Sequence, residues 1–337
     1  LLSASLLLET LMLNSTANKS EISSASANST SVSPFIIILA CFSFIATVSN
    51  LTLMCLILKR KRPNKLEKIS FAYASAVVLL SLAYIATFGR RLVVNCTLMN
   101  LTSPPQCLLI QPQLVIYPLA DQLISCIAAL SSVDCFMTVC CKFSHFRIHN
   151  KNVNRFMIIV YAIGIAQMVL FMGITFSRAD NVISACCFVS DVMGPKYFIS
   201  YYIYSFIISC FNVSLLIITV TNLGRNKKIL SEQVKMVHAR RRAAVLKHTS
   251  ILVTLTFFSL TIPQIASFLI YFKPLLSAAL SYAWLPAILS NALYPTLRIY
   301  KSKELKATAK EAFCCKAENL HPTQSASVLN KFTDTTM

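Results

Sequence analysis

Seven stretches of about 20 largely apolar residues divide the chain, and a run of that length is what an α-helix needs to cross the hydrocarbon core of a bilayer. They run from Phe35 to Leu58, Ile69 to Gly89, Leu108 to Val133, Phe156 to Ser177, Tyr197 to Asn222, Thr249 to Phe272 and Leu276 to Ile299. Charged residues make up 13% of the chain, against about 25% in a soluble domain. That deficit excludes a disordered protein or an ordinary cytosolic enzyme. Pro112, Pro118, Pro263, Pro286 and Pro295 fall inside the spans; a helix bundle tolerates them because neighbouring helices satisfy the freed carbonyls. The runs are too long for barrel strands, so the expected fold class is an all-α integral membrane protein, a seven-helix bundle.

The net charge of +19 would suit a nucleic-acid binder only if it formed a patch on a polar module. Here the basic residues sit in short clusters between the apolar runs. With the N-terminus outside, all but six of the 31 Lys and Arg lie in the inside segments. The exceptions are Lys19, Arg90, Arg91, Arg178, Lys196 and Lys273. Cytoplasmic retention of positive charge therefore predicts N-out, C-in topology and a multi-pass plasma-membrane protein. Asn-x-Ser/Thr acceptors are modified only on the lumenal face, and Asn14, Asn18, Asn28, Asn95 and Asn100 all fall on the side that the charge asymmetry makes external. Two further matches, Asn50 and Asn212, sit within spans and are expected to stay unmodified.

Four segments follow: residues 1–34 as a flexible glycosylated external tail, 35–300 as the bundle, 301–315 as an amphipathic helix and 316–337 as a cytoplasmic tail. Leu1 to Leu13 is mildly apolar but lacks a basic leading region and a cleavage site, so no signal peptide is expected there. No internal repeat suggests an inverted-repeat transporter. In "RIYKSKELKATAKEAFCCK", Leu305, Ala309, Ala312 and Phe313 share one face and Lys301, Lys303, Lys306 and Lys310 surround the rest. This is the pattern of a helix lying on an anionic inner leaflet, with Cys314 and Cys315 as palmitoylation candidates.

Enzymatic chemistry is not expected. His145, His149, His238, His248 and His321 have no metal-ligand spacing, no nucleophile-elbow or zinc-protease motif occurs, and no cofactor or metal is implied. Cys41, Cys55, Cys126 and Cys210 read as buried small apolar residues. An acid within a membrane is costly and marks function by default. Asp121, with Tyr117 one turn above it and Gln122 beside it, is the acid in the outer half of a span. It contacts a polar or cationic ligand in an outward-opening cavity, or else serves as an interhelical hydrogen-bond partner. Asp134, at the inner end of the same span, is expected to reach the interface.

Several local motifs resemble those of rhodopsin-like (class A) G-protein-coupled receptors across roughly residues 35 to 315. Asn50 in "TVSNLTLMCLI" resembles that family's first-helix Asn. "LSSVDCFMTVCCKF" resembles the end of its third helix, with Asp134 on the Asp of Asp-Arg-Tyr, and "FFSLTIP" resembles its sixth-helix motif, with Phe257 and Pro263 in register. "YPTLRIYKSKELK" resembles Asn-Pro-x-x-Tyr running into an eighth helix, with Pro295 in register. The resemblance implies a bridge from Cys107 to Cys186 or Cys187, and the adjacent pair leaves room for a second bridge to Cys96.

The departures bear on function. Cys135 and Phe136 replace the Arg and Tyr of the third-helix motif; Thr261 stands at the position of the sixth-helix Trp; Tyr294 and Arg298 replace the Asn and Tyr of the seventh-helix motif. The second span has no acid, and the fifth lacks its usual Pro. Where amine receptors of the family carry their ligand-binding Asp, this chain has Tyr117, with Asp121 one turn deeper, so the resemblance does not imply an amine ligand. Such erosion looks like large chemosensory families, and the inner-loop and tail pattern is loosely similar to nematode serpentine chemoreceptors. The expectation is a divergent receptor for an extracellular small molecule or peptide, signalling through basic inner loops (Lys142, Arg147, Arg225 and Arg240 to Arg242) to a heterotrimeric G protein, with inner-leaflet lipids as further partners. The alternative is a non-signalling scaffold or scavenger that has lost the switch; a transporter or channel is the third reading.

Overall fold

The computed structural model describes residues 34–93, 101–140, 150–184, 187–225, 245–272 and 282–314. In chain order the elements are α1 (Pro34–Leu58), α2 (Lys65–Val93), β1 (Leu101–Thr102), α3 (Pro104–Ile110), α4 (Gln113–Cys140), α5 (Asn150–Phe176), β2 (Ile183–Ser184), α6 (Val189–Met193) and α7 (Pro195–Arg225). They continue with α8 (Val245–Leu269), α9 (Trp284–Lys301) and α10 (Lys303–Cys314). Six helices, α1, α2, α4, α5, α7 and α8, are long and apolar enough to cross a membrane. The chain is thus a multi-pass, all-α membrane protein. Of the seventh expected span, the described part is α9; residues 276–281 lie outside the described residues.

The bundle is organised around α2 and α4, which pack on each other and between them reach α1, α5, α7 and α9. Leu80 of α2 and Leu123, Ile124 and Ile127 of α4 are fully buried in the main core. In α2, 67% of the most apolar window is buried within the protein, against 22% in α5 and α7. The outer helices therefore present Ile158, Val169, Ile207 and Ile217 outward, an apolar surface that a bilayer solvates. Cys41, Cys55 and Cys210 belong to that outward surface and Cys126 is half-buried, which corrects the expectation of buried thiols: hydrocarbon accepts a small apolar side chain as readily as a protein core does. Gly164 lets α5 approach α4 closely, since a Cβ there would lie 3.0 Å from Leu119 Cδ1 and Leu123 Cδ2.

Three local structures depart from the sequence reading. The third span does not begin at Leu108. Leu108 belongs to the short α3, which ends at Gln111 (φ −130°, ψ 71°) because the following Pro112 disfavours helical geometry at the preceding residue. The long helix then starts at Gln113 and continues past Asp134 to Cys140. In α8, Phe257–Thr261 form a π-turn immediately before Pro263. Proline has no N–H for Ser259 and its ring crowds that carbonyl, so the chain takes a wider turn. At the end of α9, Ser302 breaks the helix in extended geometry, so Lys301 belongs to α9 and α10 starts at Lys303.

Candidate functional site

The ends of the bundle differ in chemistry. At one end, Cys107 of α3 is bonded to Cys187, with their Cα atoms 5.6 Å apart. Beside the bond, β1 and β2 pair antiparallel, Leu101 opposite Ser184 and Thr102 opposite Ile183. Residue Cys187 has positive φ (52°) and leads into α6. That short helix ends at Gly194 (φ 76°), where Arg178 Nη1 donates to the carbonyls of Asp191 and Val192, both at 3.1 Å. A Cβ at Gly194 would clash with the same guanidinium. The segment is therefore pinned at both of its ends.

Beneath it lies a cavity of about 610 Å³, lined by residues of α1, α2, α4, α7, α8 and α9 together with Phe188, Val189, Ser190 and Met193 from the pinned segment. Its walls are largely aromatic. Tyr84 packs against Tyr117 (centroids 5.5 Å apart) and edge-on to Trp284 (5.8 Å), while Tyr201 meets Tyr202 at 5.5 Å. Asp121 is the charged residue of the lining. Tyr201 donates its hydroxyl to Asp121 Oδ2 at 2.8 Å. The Gln264 amide stands alongside the carboxylate, and its buried Nε2 makes no well-formed hydrogen bond. From α8, Ser259, Leu260, Pro263, Gln264 and Ser267 form one wall.

Of the ligand-binding residues expected from sequence, Asp121 and Tyr117 line this cavity. Tyr117 donates to Thr87 Oγ1 at 2.8 Å. Gln122 does not line it. Its Nε2 turns to Tyr204 Oη at 3.2 Å and Cys126 Sγ at 3.0 Å. Sequence reasoning missed Tyr84, Tyr201, Tyr202, Gln264 and Trp284. The adjacent tyrosines Tyr201 and Tyr202 within an apolar run, and the single Trp of the chain, were the available signals.

The opposite end carries a buried polar system. Asn64 and Glu67 cap α2 reciprocally: Asn64 N donates to Glu67 Oε2 at 2.8 Å, and Glu67 N donates to Asn64 Oδ1 at 3.0 Å, a capping box. Arg60 pairs with Glu67 and with Glu304 of α10. The hydrogen bond to Glu304, together with the Coulombic pull of both carboxylates, raises the Arg60 guanidinium above its ordinary value against the cost of desolvation. Lys65 Nζ lies 2.6 Å from Asp134 Oδ2. Asp134 is therefore buried and paired rather than reaching the interface as expected, because Lys65 opens α2 directly beside it. Leu305 is fully buried in the main core, so at this residue α10 docks on protein rather than on lipid.

The remaining motif positions form the links between helices. Asn50 Nδ2 donates to Asn291 O at 2.9 Å and to Ala46 O at 2.8 Å, joining α1 to α9. Cys135 is buried with Val139 and Val245, and Phe136 is half-buried. Thr261 meets Ser209 of α7, Pro263 is buried, and Phe257 is 36% exposed at the bundle surface. Tyr294 is fully buried against Tyr73 (centroids 4.4 Å apart), and Pro295 follows it within α9. Arg298, read from sequence as an inner-segment charge, is buried and donates from Nε to Ser70 Oγ at 2.7 Å. Ser70 also contacts His248 Nε2 at 3.0 Å, so α2, α8 and α9 meet at one hydroxyl. Cys314 is the last residue of α10. Asn14, Asn18, Asn28, Asn95, Asn100, Cys186 and Cys315, together with Lys142, Arg147 and Arg240 to Arg242, lie outside the described residues.

No family model matches the chain, and no curated protein matches its sequence.

Proposed function

We propose that this protein is a divergent seven-helix receptor of the rhodopsin-like kind. In this reading α9 is the described part of a seventh span and α10 an eighth helix at the inner leaflet. The N-terminus is extracellular, the disulfide end faces outward, and the protein resides in the plasma membrane. An external small molecule enters the cavity and biases the bundle between two arrangements through its differential affinity for them; the basic inner surface passes the change to a heterotrimeric G protein. The observation that carries the reading is the cavity with Asp121 at one end, connected through α2, α4, α8 and α9 to a buried polar system at the other. Tyr73 and Thr256, 3.2 Å apart between hydroxyls, and the Arg298, Ser70 and His248 cluster are contacts that helix movement would exchange.

One observation favours a second reading, an intact bundle that no longer couples. Asp134 is held by Lys65, and Cys135 is packed into a small apolar cluster, so no guanidinium stands at that position to meet a partner. Second-messenger output separates the two. The intact chain would be expressed in cells carrying promiscuous and chimeric G proteins, beside Asp134→Ala and Cys135→Arg. Ligand-dependent output from the native chain, altered in the variants, supports the receptor. Silence of a surface-expressed native chain, with output gained in Cys135→Arg, supports the non-coupling bundle.

A further inference from the structure

At the α10 end of the bundle the helices are joined in two ways. Ion pairs tie α2 to α4 through Lys65 and Asp134, and the segment before α2 to α10 through Arg60 and Glu304. The first turn of α8 meets its neighbours through uncharged groups instead. Thr249 Oγ1 donates to the Ser131 carbonyl of α4 at 3.4 Å, and His248 Nε2 lies 3.0 Å from Ser70 Oγ of α2. Ser70 Oγ has one hydrogen to give and two lone pairs to receive. It donates to the Leu66 carbonyl at 2.7 Å and accepts from Arg298 Nε of α9, also at 2.7 Å. Its remaining lone pair accepts from His248, so the hydrogen-bond count assigns the ring proton to Nε2 and leaves Nδ1 as the free base. The His248 side chain is 4% exposed, and Nδ1 is buried with no hydrogen-bond partner among the described residues.

A neutral imidazole fits this junction and an imidazolium does not. A second proton, at Nδ1, would set a positive ring beside the Arg298 guanidinium, because both groups bond the same oxygen. Like charges repel strongly where water is excluded, and the new N–H would itself be buried. The other ionisable groups of the helices that meet here are engaged elsewhere. Lys65 of α2 pairs with Asp134 of α4, Glu67 and Glu304 pair with Arg60, and Lys68 bonds Asn154. Tyr73 packs on Tyr294, Cys135 and Cys140 lie in a small apolar cluster, and Lys247 of α8 is exposed. Arg298 is the charge that bears on His248.

We infer that His248 is a proton-operated latch: neutral, it holds the first turn of α8 against α2 and α9, and protonated, it releases that turn. Histidine suits the task because its ordinary titration falls between about pH 5 and 8. The closed arrangement disfavours the added proton, and an arrangement with the ring in water accepts it. By linkage, acidification on the α10 side therefore shifts the population toward the released arrangement. The latch is whole at neutral pH and above and is lost as pH falls. It operates in a coupling or a silent bundle alike, and so goes beyond the receptor reading.

The test follows hydrogen exchange in the full-length chain in lipid nanodiscs at about pH 7.5 and about pH 5.5, on either side of the ordinary histidine range. Each peptide is corrected for the intrinsic pH dependence of exchange. In the native chain, acidification speeds exchange across 245–256 by about three- to tenfold, the tenfold corresponding to one pH unit of linkage. The buried centre of α2, 74–83, keeps its rate. His248→Gln, which cannot take the proton, loses the acid response. His248→Arg, a fixed cation, exchanges fast across 245–256 at both pH values. Arg298→Gln removes the like charge and weakens the response. An undiminished acid response in His248→Gln overturns the latch, as does slow exchange of His248→Arg at the higher pH. Slower exchange of the native 245–256 on acidification also overturns it, since protonation would then tighten the junction. If His248→Gln fails to fold, Arg298→Gln decides, and a full acid response in that variant overturns the proposal.

Discussion

Lys65 Nζ lies 2.6 Å from Asp134 Oδ2, so the first residue of α2 neutralises an acid buried near the far end of α4. The other carboxylate oxygen, Oδ1, is buried without a hydrogen-bond partner. The pair is thus the main compensation for the buried charge. Lys65→Met removes the cation and leaves the acid, which should cost about 3–5 kcal/mol of stability, read as a lowered unfolding midpoint in detergent. Adding Asp134→Asn to that variant should recover much of the loss. A double variant no more stable than the single would show that the charge pair is not what holds these helices.

The disulfide joins residues 80 positions apart and anchors the segment that covers the cavity. Cys107→Ser and Cys187→Ser should each lower stability by about 2–5 kcal/mol and reduce surface expression to the same degree. Cys186→Ser should have a smaller effect, because the bond is made by its neighbour. Equal loss in all three variants would reject Cys187 as the partner.

Close approach of α5 to α4 depends on Gly164, whose missing Cβ would stand 3.0 Å from two leucine side chains. Gly164→Val should destabilise by about 1–3 kcal/mol through overpacking. Gly173 has nothing within 4 Å of a built Cβ, so Gly173→Ala serves as the neutral control in the same thermal assay. Equal stability of Gly164→Val and the native chain would mean that the helices separate at little cost.

The π-turn at Phe257–Thr261 is attributed to Pro263. In Pro263→Ala an amide becomes available to the carbonyl of Ser259, and the helix should relax toward regular α geometry, turning Ser259 and Leu260 relative to Gln264. Hydrogen exchange across 257–266 should slow, and the response to any cavity ligand should change. Unchanged exchange would show that packing around Thr261, rather than proline, imposes the wider turn.

The membrane class was legible from sequence because hydrocarbon thickness translates directly into a run length, whichever neighbours the helix acquires. Asp121 and Tyr117 were legible as site residues for a related reason: an acid in an apolar run is costly wherever it ends up. Gln122 shows the limit. Polarity and adjacency to Asp121 suggested a shared site, but a helix turns about 100° per residue, and Gln122 faces Tyr204 instead. The helix break before Gln113 and the π-turn were signalled only by Pro112 and Pro263, and prolines inside spans have several structural outcomes.

The chain's own pattern of apolar runs determined that this is a multi-pass helical membrane protein, and the one acid in the outer half of a span, Asp121, marked one wall of the cavity. Tertiary structure decided everything that depends on which helix faces meet. It paired Asp134 with Lys65, Glu67 with Arg60 and Arg298 with Ser70, and set Asp121 beside the Tyr201 phenol and the Gln264 amide. The physical reason is that hydropathy reports the cost of leaving water, whereas the partner that offsets a buried charge comes from a distant segment and is set by packing.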